Sequence, residues 1–271
     1  KIFKHKLALK KEIFNLRKLS FVPTMGTLHE GHKFLINKAK TKSEKVIVSL
    51  YVNPKQFNSK KDFVKYPRDI KRDLDILKKL KVDYLYMPNY SDIFSFKTLN
   101  KVYLEKFSKK LCGRNRRFHF KGVVNVVNRF LEIIKPTYLF LGKKDFQQFS
   151  IIRSHVRKRR INTKVVLCKT VREKNGVACS SRNKNLKKNQ LKKASNIYRY
   201  LKKEKNKIKK STKFKFDKTR IYNDLLCFGI NKIDYIECIN LDNLKKAQLT
   251  KDKFNIFIAY FINNVRLIDN I

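Results

Sequence analysis

“LSFVPTMGTLHEGHKFLINKAK” (residues 19–40) decides how the rest of the chain is read. “LSFVPT” (19–24) has the apolar density of a buried strand, and “GHKFLINKAK” (31–40) the spacing of a helix. Between them and at the helix start lie Gly26, Gly31 and two histidines, His29 and His32, in a chain that holds only seven glycines and five prolines in 271 residues. Average proteins carry roughly 7% glycine, so the concentration here is selective. Glycine lets backbone come close to a ligand, and the start of a helix attracts phosphate. Imidazoles placed there can donate hydrogen bonds to phosphoryl oxygens as charge builds in a displacement. Histidines three apart are not the metalloprotease pattern, which sets them four apart on one helix face. An isolated pair of this kind is more often structural.

Outward from this stretch, strands alternate with helices. “KVIVSLYV” (45–52), “VDYLYMP” (82–88), “TYLFLG” (137–142) and “TKVVLCKTV” (163–171) read as further strands. Helices are expected over “RDIKRDLDILKKL” (68–80, by Ile70, Leu74 and Leu77), “KGVVNVVNRFLEIIK” (121–135) and “DFQQFSIIRSHVRKR” (145–159). The N-terminal “KIFKHKLALKKEIFNLRK” reads as an amphipathic helix without a signal-peptide core. Such alternation predicts βαβ units and a parallel sheet, whose ligands bind beyond the carboxyl ends of the strands. The segments that follow the predicted strands are “PTMG” with “HEGH”, “NPKQF” (53–57), “GKKDFQQ” (142–148) and “VREKNG” (171–176). The unusual residues therefore converge on one sheet edge. No GxxxxGK loop and no GxGxxG fingerprint is present, so nucleotide chemistry would need a different scaffold.

Apolar residues make up 42% of the chain, enough for a buried core, and no run approaches the length of a membrane span. Cys112, Cys168, Cys179, Cys227 and Cys238 are scattered, odd in number and without a CxxC, which reads as reduced thiols in the cytoplasm. Sixty-seven Lys plus Arg against 21 Asp plus Glu give a net charge of +46. Taken alone, that charge suggests a polyanionic partner. The lysines are spread over strands, helices and loops alike, with no RNA-binding motif beside them, and the favoured reading is compositional drift with incidental polyanion affinity.

Beyond residue 176 the character changes, with Gly229 the one later glycine and no later proline. “KNLKKNQLKKASNIYRYLKKEKNKIKK” (184–210) reads as an exposed helix, and “IDYIECINL” (233–241) and “FNIFIAYFI” (254–262) as strands of a smaller α+β domain. The boundary is expected at 171–176, giving domains of 1–173 and 174–271.

The HxGH arrangement after a first strand resembles that of the nucleotidyltransferases, which adenylylate a carboxylate or phosphate and release pyrophosphate. “FVPTMGTLHEGH”, “YVNPKQF”, “DFVKYPR”, “FHFKGVVNVV”, “LGKKDFQQ”, “VREKNGVACSSRN” and “RLIDN” occur in the order and spacing of the pantoate–β-alanine ligase family. The resemblance covers nearly the whole chain, strongest over 21–183 and at the C-terminal end. It implies a Rossmann-like domain carrying the active site, a smaller C-terminal lid domain and a cytoplasmic homodimer. The implied reaction joins pantoate to β-alanine through pantoyl adenylate, with ATP as substrate and Mg²⁺ carried on its phosphates rather than by the protein.

By the same resemblance, Met25, Gly26, Thr27, Leu28, His29, Glu30, Gly31 and His32 form the ATP loop, with His32 and His29 catalytic beside Lys144. Gly142, Lys143, Lys144 and Asp145 match a second ATP segment, and Val171, Cys179, Ser180, Ser181 and Arg182 a third. Gln56 and Gln148 match the glutamines that contact pantoate, Gln56 also lying near β-alanine. Asn53, Tyr66 and Arg116 match other pocket positions. Neutral amides suit a carboxylate that must stay nucleophilic, although a glutamine at a strand end also serves simply to cap backbone. Three departures stand out: Lys143 where the family has glutamate, Arg117-Phe118 for proline-glycine, and Cys179 for methionine. The rivals are another HxGH adenylyltransferase, against which “NPKQF” and “DFQQ” argue, and a basic nucleic-acid-binding protein on an enzyme scaffold.

Overall fold

A computed structural model describes residues 1–210, 216–248 and 252–271. Contacts divide the chain into two compact units, 1–169 and 170–271.

The first unit is built on β1 (Ile2–Phe3), β2 (Leu19–Thr24), β3 (Lys45–Leu50), β4 (Tyr84–Tyr86), β5 (Tyr138–Gly142) and β6 (Lys164–Cys168). Among the described residues these make a wholly parallel sheet in the order β1-β4-β3-β2-β5-β6. Helices α1 (Lys6–Ile13), α2 (Glu30–Lys40), α3 (Lys60–Val64), α4 (Ile70–Lys79), α5 (Tyr90–Phe94), α6 (Cys112–Asn115), α7 (His119–Ile134) and α8 (Phe146–Lys158) alternate with the strands. β2 is central: it pairs with β3 along its full length, from Leu19↔Lys45 to Thr24↔Leu50, and with β5 at Ser20↔Tyr138 and Phe21↔Leu139. The chain order reverses between β2 and β5, and that is where an open parallel sheet leaves a crevice beyond its strand ends. One face of the sheet packs Val22, Val46, Val48, Leu85 and Phe140 against Leu28, Leu35, Ile36 and Leu77. On α7, Val123, Val124, Val127, Phe130, Leu131 and Ile134 are buried at helical spacing.

Several expectations are corrected. The N-terminal segment is not one helix: Ile2–Phe3 joins the sheet beside β4, and α1 begins only where the Asp92 carboxylate accepts the Lys6 N–H, at 3.1 and 3.0 Å. Of the three residues expected on the buried face of α4, Leu77 is buried and Leu74 packs against the core, but Ile70 is 54% exposed, and Asp73 is buried on this helix as well. The strands expected over 82–88 and 163–171 close at Tyr86 and Cys168.

The second unit holds α9 (Lys188–Lys210), α10 (Lys218–Cys227) and an antiparallel sheet of β7 (Lys232–Asn240), β8 (Phe254–Ile262) and β9 (Val265–Asn270). α9 is exposed on one side only. Its stripe of Ala194, Ile197, Leu201 and Ile208 is buried against Ile236, Ile256 and Ile258 among others, because steps of three, four and seven residues fall on one helix face. β9 carries “RLIDN” and had no counterpart in the sequence reading as a strand.

Candidate active site

The link from β2 to α2 is tightly tied down. Gly26 (φ 81°) and Thr27 (φ 53°) both take left-handed backbone, which turns the chain sharply after Thr24. Beneath them lies Asp73, a carboxylate only 2% exposed on α4. It accepts the Thr27 N–H and the Leu28 N–H, each at 2.7 Å. A Cβ at position 26 would lie 3.0 Å from Asp73 Oδ2, a tight contact that adds to the demand the positive φ already makes for glycine. The Thr27 hydroxyl donates to the Pro67 carbonyl at 2.7 Å, and the Gly26 N–H to Thr24 Oγ1 at 3.2 Å.

His29 caps α2. Its Nδ1 accepts the Gly31 N–H at 3.1 Å, while His32 Nδ1 accepts the His29 N–H at 3.4 Å. The two rings stack with centroids 4.0 Å apart. A ring nitrogen that accepts carries no proton, so each neutral imidazole holds its hydrogen on Nε2. Desolvation, then the neighbouring His29 and Lys144, keep the His32 pKa well below the usual imidazole value. At neutral pH His32 is therefore an uncharged Nε2–H donor. Glycine-rich anion loops work by pointing free backbone N–H groups outward. Here the N–H groups of Gly26, Thr27, Leu28, His29 and Gly31 are engaged internally, and side chains around the loop add further polar groups.

Those side chains come from two strand ends. After β5, Lys143–Asp145 form a tight turn in which Lys144 Nζ pairs with Asp145 at 3.1 Å. A side chain at Gly142 would meet open space, leaving room above the strand end. After β3, Asn53 is buried, donates to the Gly122 carbonyl at 3.1 Å and accepts the Lys55 N–H at 3.2 Å. A Cβ on Gly122 would lie 2.2 Å from the Lys55 carbonyl oxygen, so only glycine lets α7 approach this turn. The Gln56 amide nitrogen contacts the Met25 sulfur, which joins the “NPKQF” turn to the histidine loop. Arg116 Nη2 and His119 Nδ1 both donate to the Gln56 carbonyl, at 3.1 and 2.7 Å, and Arg116 Nη1 meets His119 Nε2 at 3.2 Å.

The two glutamines of “DFQQ” separate cleanly. Gln147 is buried, donates to the Phe107 and Lys110 carbonyls at 2.9 and 2.7 Å and accepts the Cys112 N–H at 3.1 Å. Gln148 is partly exposed and its side chain hydrogen-bonds to none of the described residues. Tyr66 packs its ring on Phe57, centroids 5.5 Å apart. Arg117-Phe118 needs no special backbone: neither residue has positive φ, and Phe118 (φ −105°) is 69% exposed.

The remaining predicted residues lie in the second unit. The Val171 carbonyl accepts the Cys179 N–H at 3.0 Å, and Gly176 (φ 92°) makes the intervening turn under the Tyr198 ring. Ser180 Oγ accepts the Arg182 N–H at 3.3 Å and caps a short turn from Ser181 to Asn185. Ser180 and Arg182 are partly exposed, whereas Ser181 is buried. Arg172, flanking this segment, forks onto Asp269 of “RLIDN” at 2.6 and 3.0 Å and stacks on Tyr198 at 4.1 Å. Sequence reasoning missed Asp73 and Arg172. The available signal for Asp73 was a carboxylate between Ile70 and Leu77 on a face otherwise read as apolar.

Comparison with known proteins points to the same family as the sequence motifs. The family model described as pantoate-beta-alanine ligase matches residues 1–271. A pantothenate synthetase of Thermosipho melanesiensis is 41% identical over 261 residues, covering 94% of this chain and 91% of the relative. That of Fervidobacterium nodosum is 39% identical over 266 residues, covering 97% and 94%. Among solved structures, the pantoate-beta-alanine ligase of Francisella tularensis, complexed with beta-gamma ATP and beta-alanine, superimposes with a TM-score of 0.84 at 36% identity, covering 100% of this chain and 96% of that one. Pantothenate synthetase from Thermus thermophilus gives a TM-score of 0.89 at 30% identity, covering 100% and 98%.

Proposed function

The chain belongs to the pantoate-beta-alanine ligase family, and from that premise we propose how its own side chains carry the family's reaction. It is an enzyme that condenses pantoate with β-alanine at the expense of ATP, giving pantothenate. The pantoate carboxylate attacks the α-phosphorus, the bond to the β-phosphate oxygen breaks and pyrophosphate leaves. The β-alanine amine then attacks the acyl carbon of pantoyl adenylate and AMP leaves. The observation that supports this reading best is the neutral Nε2–H of His32, with Lys144 acting on the same ring and Gln56 against Met25 of the same loop.

In this reading His32, His29 and Lys144 donate to phosphoryl oxygens as charge builds there, and none needs to surrender a proton because pyrophosphate leaves as an anion. Gln56 and Gln148 orient pantoate without neutralising the carboxylate that must attack. Asn53, Tyr66 and Arg116 shape that subsite. Met25 to His32, Gly142 to Asp145, Val171 and Cys179 to Arg182 are the ATP-binding residues. Mg²⁺ enters as part of the nucleotide. The imidazoles of the loop and the Lys144 ammonium fit phosphate rather than the ion. Bound to the phosphates, it spreads their negative charge. No helix among the described residues is long and apolar enough to cross a membrane.

The reading also places the enzyme in the cytoplasm as a homodimer with a C-terminal lid, and assigns polyanion binding to charge alone. Binding of a homopolymer RNA should then collapse as salt is raised. The primary test is pantoate-dependent exchange of labelled pyrophosphate into ATP, with Mg²⁺ present and β-alanine absent. Exchange that requires pantoate supports adenylate formation. No exchange from folded protein overturns it.

A further inference from the structure

The loop that carries both histidines is held from below by one side chain. Asp73 accepts two consecutive N–H groups, Thr27 and Leu28, at 2.7 Å each, and its burial keeps it behind the loop rather than on its outer surface. Thr27 has φ 53°, a conformation that a β-branched residue adopts only under constraint. The next residue, Leu28, is fully buried, and His29 follows in extended backbone as the cap of α2. A displacement at Thr27–Leu28 therefore moves the His29 N–H, which is the group that holds His32 Nδ1.

We propose that Asp73 is the positioning residue of the histidine loop: by fixing the Thr27 and Leu28 N–H groups it sets the backbone that keeps His29 and His32 as Nε2–H donors. The carboxylate is required because it offers two acceptor oxygens and no donor. Asparagine has the same shape but turns an NH₂ towards one of the two N–H groups. The left-handed Thr27 would then keep its hydroxyl contact to Pro67 and lose the carboxylate that fixes its backbone.

This inference rests on the ligase reading, and the experiment separates the two. Asp73→Asn is compared with wild type in pantoate-dependent pyrophosphate exchange, in thermal melting, and in ¹⁵N NMR of histidine-labelled protein. Loss of alignment by about an ångström costs about 10²-fold in rate. The expected result is a loss of that order in exchange kcat, with the pantoate KM little changed, melting lowered by a few degrees, and ring-nitrogen shifts moving from a single tautomer to a mixture. Thr27→Gly in the Asp73→Asn background should recover part of the rate, because glycine holds positive φ without help. If Asp73→Asn does not fold, Asp73→Glu, which keeps the charge but displaces both oxygens, takes its place. Wild-type exchange in the variant, or slow exchange with unchanged histidine tautomers, overturns the proposal. A wild-type enzyme that gives no exchange overturns the ligase reading instead, and the tautomer readout still decides the role of Asp73.

Discussion

His32 and His155 are two imidazoles in the first unit with the same local wiring and different uses. Both accept a backbone N–H on Nδ1, from His29 at 3.4 Å and from Tyr103 at 3.1 Å. Both have pKa values pushed down, that of His155 to about 4, chiefly by burial and then by Arg159, with Glu132 opposing. The difference lies at Nε2. In His155 it donates to Asn128 Oδ1 at 3.0 Å, and Asn128 in turn donates to the Asn100 carbonyl at 2.9 Å. In His32 that nitrogen has no hydrogen-bond partner among the described residues. A depressed histidine pKa therefore does not mark an active site by itself; what marks it is a polar atom positioned by the fold and left unused by it.

The sharpest way to break this comparison is to remove each ring. His32→Ala and Lys144→Ala should each reduce pyrophosphate exchange by about 10²–10³-fold, the usual cost of one preorganised donor, with melting nearly unchanged. Exchange within a few-fold of wild type in both would refute their roles. His155 should govern stability instead. Its unfolded pKa of about 6.5 exceeds its folded value of about 4. Between those values the unfolded chain binds the proton and the native one does not, so stability is full above about pH 6.5 and falls as pH drops towards 4. The shift corresponds to at most about 3 kcal/mol. Urea unfolding at pH 7 and pH 4.5 should show this loss in wild type and a smaller one in His155→Gln. An identical pH dependence in the two proteins would remove His155 from the account.

Much of this was legible in the chain, and the physical reasons for the misses are specific. The strands beside β2 announce themselves because they are buried on both faces and read as continuous apolar runs. β1 and β9 do not: Ile2–Phe3 is two residues long, and “RLIDN” alternates charge with bulk because Arg266 and Asp269 make ion pairs with Asp234 and Arg172. The candidate site was legible where it uses rare residues, such as Gly26 and the two histidines. Asp73 showed only as a carboxylate on a face read as apolar; what it does was not legible, since it accepts backbone N–H groups from a loop 45 or 46 positions away, and no local spacing records them.

Gln147 and Gln148 repeat the histidine contrast between neighbours on α8. Gln147 satisfies two carbonyls and one N–H in the segment from Phe107 to Cys112. Gln147→Ala leaves those buried groups without partners and should cost about 1–3 kcal/mol in urea unfolding. Gln148→Ala should leave unfolding unchanged within about 0.5 kcal/mol, as for a surface site. It should instead raise the pantoate KM in the exchange assay. The pair is informative only together: a stability loss at Gln148 with none at Gln147 would invert the assignment of the two side chains.

The smallest expected effect concerns Phe118, which stands where the resembling family has glycine. A glycine in a loop implies that the backbone needs a left-handed residue there, and its loss would then strain the turn before α7. The geometry removes that requirement, because neither Arg117 nor Phe118 has positive φ and the His119 N–H still reaches the Arg116 carbonyl at 3.1 Å. Phe118 is largely exposed and makes no side-chain cap to the helix it precedes. Phe118→Gly would gain nothing from conformational freedom in the native state and would add freedom to the unfolded chain, a cost of roughly 0.5–1 kcal/mol. Glycine is also a better helix N-cap than a large apolar residue, which offsets part of that cost. The net shift should fall within about 0.5 kcal/mol in urea unfolding, with exchange unchanged. A variant that exchanged several-fold faster would show that the bulk of Phe118, rather than backbone strain, is what this loop gave up.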